Sequence, residues 1–88
     1  MKSDNADNAP RAVHGLRGTV IEAAFARGSK SERNAPFLLT TDQRYLLRRR
    51  GGPSYGDVTL TRFVGHTVEC DGMVTSYLLL VDRIERVD

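Results

Sequence analysis

The sequence predicts an all-β fold of five short strands, with one short helix between the third and the fourth. Two observations carry that reading. From Arg17 onward the chain is a series of short apolar runs separated by turn residues. Only residues 57–65 combine helically spaced apolar residues with a capping residue and a stop signal. Length and composition set the scale. Eighty-eight residues, 40% of them hydrophobic, make one small domain. The longest apolar run, residues 77–81 (YLLLV), is far too short for a membrane-spanning helix.

The first strand is expected over residues 14–27, with Gly18 marking a bulge or a sharp coil inside it. Residues 28–35 (GSKSERNA) read as a polar loop. Residues 37–41 and 44–49 form the second and third strands, joined through Asp42-Gln43, and residues 51–56 (GGPSYG) are a loop rich in breakers. In the helix, Asp57 is a good N-cap, Leu60, Phe63 and Val64 share one face, and Gly65 fits the position just past the end. A helix barely two turns long depends on packing for its stability. The fourth strand is expected over 67–71, with Val68 and Cys70 on one face. Asp71-Gly72 signals a hairpin, and the last strand then runs from Val74 to about Val87.

The order β-β-β-α-β-β, with a long glycine-bent first strand, resembles the OB-fold, a five-stranded Greek-key barrel. The resemblance covers residues 14–87. GSKSE at 28–32, YLLRR at 45–49, GGP at 51–53 and the D-x-x-L-x-x-F-V-G run at 57–65 are similar to those of a group of small uncharacterised bacterial OB-fold proteins. An OB-fold-like domain over 13–88 and a disordered N-terminal tail over 1–12 follow as expectations. The runner-up is an SH3-like barrel, which has a similar strand count but no need of the helix.

The net charge of +2 is too balanced to announce a nucleic-acid partner, but its distribution is uneven. Residues 1–10 carry −1, residues 11–50 carry +6 and residues 51–88 carry −3. Eleven of the thirteen bases are arginine, which binds phosphate or carboxylate with two parallel hydrogen bonds and stacks on planar groups. Cys70 is the only cysteine, so no internal disulfide forms and a reducing compartment fits best. Residues 1–10 have no apolar core of a signal peptide, and the cytoplasm is the expected location.

Read in register about Asp42-Gln43, the hairpin of strands two and three pairs Thr40 with Tyr45, Leu39 with Leu46, Leu38 with Leu47 and Phe37 with Arg48. One face then holds Leu38, Thr40, Tyr45 and Leu47; the other holds Phe37, Leu39, Leu46, Arg44, Arg48 and Arg50. Three arginines are hard to bury, so the first face is the core. The outer face becomes an apolar strip rimmed with arginine. In OB-folds this face and its flanking loops hold the ligand. The resemblance therefore implies a site of Phe37, Arg44, Arg48 and Arg50, with Lys30 and Arg33 from the 28–35 loop and a second loop near 71–75. Such a strip suits a protein partner or a homo-oligomer, where arginine and aromatics are enriched. The alternative is weak single-stranded nucleic-acid binding, DNA or RNA, with one base stacked on Phe37. Phe25, Phe63 and Tyr77 read as core, which leaves few stacking platforms.

No enzymatic constellation is met. Gly28-Ser29-Lys30-Ser31 resembles the end of a phosphate-binding loop, but Ala24 and Ser29 stand where that motif needs glycines. Cys70 and His66, four residues apart on a strand, lie about 13 Å from each other, beyond hydrogen-bond reach. One cysteine and two dispersed histidines make no zinc site. Glu69 and Asp71 read as a solvated pair. Tyr55 reads as a lid over the core. A non-enzymatic binding module without cofactor is the expectation.

Overall fold

The computed structural model describes residues 9–25, 33–53 and 56–88. Five strands, β1 (Arg11–Phe25), β2 (Arg33–Leu39), β3 (Arg44–Arg49), β4 (Thr67–Thr75) and β5 (Leu78–Arg86), join edge to edge in the order β1-β2-β3-β5-β4 and back to β1. This makes a closed ring of hydrogen bonds. Every pair is antiparallel except β3 with β5, which run parallel. Among the described residues one short helix, α1 (Val58–Thr61), lies between β3 and β4.

Period-two alternation fills the ring. Val20 from β1, Leu38 from β2, Tyr45 and Leu47 from β3, Val68, Cys70 and Val74 from β4, and Leu79 and Val81 from β5 form one buried cluster. Leu60 of α1 belongs to the same cluster, and Phe63 and Val64 pack against it. A helix this short is held at both ends by contacts outside itself. Asp57 caps it by accepting from the Thr59 amide at 3.0 Å. Beyond it, Gly65, at φ +90°, donates to Val20 O at 2.8 Å, and the Val20 amide donates to His66 O at 3.0 Å.

β1 is shared between two neighbours. Its first half pairs with β4 as far as Thr19–Thr67, and its second half pairs with β2 from Thr19–Leu39 onward. At that crossing a Cβ on Gly18 would lie 2.5 Å from Leu39 O, so the close backbone approach requires glycine. The bulge itself falls earlier, between Val13 and Leu16, where Gly15 has φ +64°.

Three expectations are corrected. β1 begins at Arg11 rather than His14, because the residues from Arg11 onward find partners on β4 from Val74 backward. β2 begins at Arg33 rather than Phe37, because residues 33–36 extend its pairing with β1, and it ends at Leu39. Asp71-Gly72 is not a hairpin turn. β4 runs straight through it to Thr75, and the turn falls at Ser76-Tyr77, with Ser76 at φ +53°. Gly72 occupies an inward position between Cys70 and Val74, where a Cβ would collide with the Leu80 carbonyl oxygen. The local turn signal gives way to the long-range pairing of β4 with β1 and β5.

Candidate functional site

The β2–β3 hairpin places the expected faces correctly but in a different register. Phe37 pairs with Leu46, Leu38 with Tyr45 and Leu39 with Arg44, two residues away from the pairing expected about Asp42-Gln43. A slip of two leaves every side chain on its own face. Leu38, Tyr45 and Leu47 accordingly enter the core. The turn closes one residue earlier, where the Thr40 amide donates to Gln43 O at 2.9 Å and Thr40 Oγ1 accepts from the Asp42 and Gln43 amides.

On the outer face, Phe37 and Leu46 are only 5% and 7% exposed, although neither belongs to the interior cluster. The Arg44 guanidinium carbon stands 4.8 Å from the centre of the Phe37 ring, a stacked cation–π arrangement. Phe37 is therefore no open platform, and Leu39, at 46%, is the exposed apolar member of the expected strip.

The face continues onto strands the sequence reading left out of it. Opposed residues share a face, so Ile21 of β1 flanks Phe37, and Leu78 of β5 flanks Leu46. One row along, Arg48 lies beside Leu80, and Leu80 opposite Met73. The signal for Leu78 and Leu80 was present. A run of five apolar residues on a strand cannot all face inward, and only Leu79 and Val81 do. Tyr77, read as core, sits in the β4–β5 turn instead and is 54% exposed beside this face.

The expected site residues separate into distinct settings. Arg44 and Arg48 lie on the outer face, and among the described residues neither makes an ion pair. Arg50 is held by Asp82 in a two-point ion pair and donates its own amide to Val81 O at 2.9 Å. Arg33 opens β2 opposite Phe25. Lys30 lies outside the described residues, as does Tyr55. The second ligand loop, expected near 71–75, is replaced by the Ser76-Tyr77 turn.

Arg49 points the other way from its neighbours. Its Nε donates to Asp57 Oδ2 at 2.8 Å and its Nη2 to Oδ1 at 3.2 Å, tying β3 to the head of α1. Burial pushes the Asp57 carboxyl up, but the Arg49 guanidinium and the Thr59 amide outweigh it, leaving the group below the ordinary carboxylate range.

The opposite side of the ring has a different character. Arg17 meets Glu69 at 2.6 Å, while Arg83 binds Asp71 at 2.8 Å and also Glu85. These charges neutralise one another across β1, β4 and β5. The ring therefore carries one face of closed ion pairs and one face of aliphatic side chains with two arginines left over. Among the described residues no cluster of three or more His, Cys, Asp or Glu could hold a metal ion. Burial pushes the Cys70 thiol up to about 12, which leaves it protonated and unreactive at neutral pH.

No family model, curated protein or solved structure matches this chain.

Proposed function

We propose that the chain is a non-enzymatic binding module built as an OB-fold-like Greek-key barrel, and that the outer β2–β3–β5 face takes up a protein partner. The strand order, the parallel β3–β5 pair, the helix between β3 and β4 and the long β1 shared by two neighbours support the barrel reading over an SH3-like one. The observation that carries the function is the contrast between the two faces. Arg17 and Arg83 on the far side are neutralised by carboxylates of the chain, as is Arg50 at the end of this face, whereas Arg44 and Arg48 stand unpaired beside Leu39 and Leu80. Aliphatic side chains beside unpaired arginine have the composition of an interface. Self-association through a two-fold axis is disfavoured, because the same patch would then meet itself and bring like charges together.

Selection of a random displayed peptide library on the folded chain tests this. Binders that lose their affinity when Leu39 is changed to Glu support the face. Binders indifferent to Leu39→Glu, or no binders at all, overturn it.

Single-stranded nucleic acid is the second reading, favoured by exposed Tyr77, whose carbonyl accepts from the amide of Leu46, the residue between Arg44 and Arg48 on its face of β3. A labelled oligonucleotide should then bind saturably and weaken steeply between about 50 and 200 mM salt. With Phe37 covered, Tyr77 is the one exposed aromatic among the described residues and supplies roughly 1–3 kcal/mol of stacking, which makes such binding weak.

A further inference from the structure

We infer that the partner of this face is an acidic protein segment in which carboxylates alternate with aliphatic side chains; the inference rests on the protein-binding reading above. Charge complementarity identifies it. Among the described residues, Arg17, Arg49, Arg50, Arg83 and Arg86 each have a carboxylate of the chain within ion-pair distance. Arg11, Arg44, Arg48 and Arg62 have none; Arg11 donates to Tyr45 Oη and Arg62 caps α1, so only Arg44 and Arg48 stand together on one face of one strand. The Arg44 guanidinium carbon lies over the Phe37 ring at 4.8 Å, and no carboxylate of the chain pairs with it.

Each arginine has an aliphatic neighbour across the ladder, Leu39 beside Arg44 and Leu80 beside Arg48. The face thus repeats one unit, a cation next to an aliphatic side chain. The two units stand four residues apart on β3, about 13 Å along an extended strand. A segment in extended conformation matches that repeat with acidic residues at every fourth position and Leu, Ile or Val close beside them. A base would need an open aromatic face between the two arginines. The residue lying between them on β3 is Leu46, and its partner Phe37 is buried.

The test is the sequence content of displayed peptides selected on the wild-type chain, repeated on the double variant Arg44→Glu/Arg48→Glu. Wild type should enrich peptides with paired Asp or Glu and aliphatic residues, and these should bind the double variant about tenfold more weakly or worse. The double variant should instead enrich peptides with paired Lys or Arg. Should removal of the Arg44 stack unfold the double variant, Arg48→Glu alone serves, because Arg48 holds nothing else in place. Enrichment of neutral or basic peptides on wild type that still depend on Leu39 would overturn this inference while leaving the face intact. Peptides insensitive to both Leu39 and the arginines would overturn the face as well.

Discussion

The Asp71 carboxylate accepts a hydrogen bond from the backbone amide of Gly15 at 2.7 Å, across the place where β1 carries one residue more than β4. Its other oxygen accepts from Arg83 Nε at 2.8 Å, beside the place where β5 carries its own extra residue, Asp82. β4 keeps strict alternation between two neighbours that bulge at the same level. The bulges explain the three-residue spacing of Val13 to Leu16 and of Val81 to Ile84, all of which contact the core.

Arg83 and the Gly15 amide hold the Asp71 carboxyl below its ordinary value. A carboxyl whose value is lower in the folded chain than in the unfolded one stabilises the fold above the unfolded value of about 3.9, and this is lost as pH falls through the folded value. Asp71→Asn should lower the urea midpoint at pH 7, and the gap from wild type should narrow progressively below about pH 4. A gap that stays constant from pH 7 to pH 3 would show that the ionised carboxylate contributes nothing.

Gly72→Ala places a Cβ against the Leu80 carbonyl, where the obstruction is backbone and cannot rotate away. It should cost about 2–3 kcal/mol, or roughly 8–24 °C in melting temperature for a chain this size. Thermal unfolding followed by circular dichroism reads it directly.

Asp57→Ala removes the helix cap and strands the Arg49 guanidinium at once. The cap alone is worth about 1 kcal/mol, and the lost partner raises the total to roughly 2 kcal/mol. Asp57→Asn keeps the capping oxygen and should recover about half of that loss in urea denaturation.

Phe37→Ala should cost about 3 kcal/mol, as for a buried aromatic, although Phe37 lies outside the interior cluster. Leu39→Ala, at a half-exposed position in the same strand, should shift the midpoint by under about 1 kcal/mol. Equal effects of the two changes would contradict the burial that separates them.

Cys70, enclosed between β1 and β5, should be unreactive toward a thiol reagent in the native chain at pH 8 and should react fully in denaturant. Reaction at the rate of a free thiol without denaturant would mean that the ring opens readily.

Much of the architecture was legible because it rests on local signals. The Asp57 cap and the Leu60, Phe63 and Val64 spacing place the helix and its buried side, but the helix ends at Thr61 with Arg62 as its C-cap, and Gly65 closes the turn that follows rather than the helix itself. The arginines at 44, 48 and 50 decide which face of the hairpin turns outward, and that survives the two-residue slip in register. What was illegible depends on distant strands. Asp71-Gly72 has the residues of a turn, and only the paired edges of β1 and β5 keep it extended. The Asp82 partner of Arg50 likewise comes from β5, beyond the segment that holds the arginine. The arginine face was therefore anticipated in composition and altered in detail: one arginine is spent on a structural pair, the aromatic is enclosed, and β5 supplies leucines in its place.

The ring has a consequence for the order in which it is built. β1, β2 and β3 pair with their sequence neighbours and form an open three-stranded sheet whose two edges are β1 and β3. The β4–β5 hairpin then pairs with both edges, β4 along β1 and β5 along β3. During synthesis those edges stay exposed until residues 67–86 have emerged, and they are open templates for pairing with another chain throughout. The C-terminal hairpin thus acts as the keystone of the ring, and a nascent chain halted before it is the species most prone to aggregate.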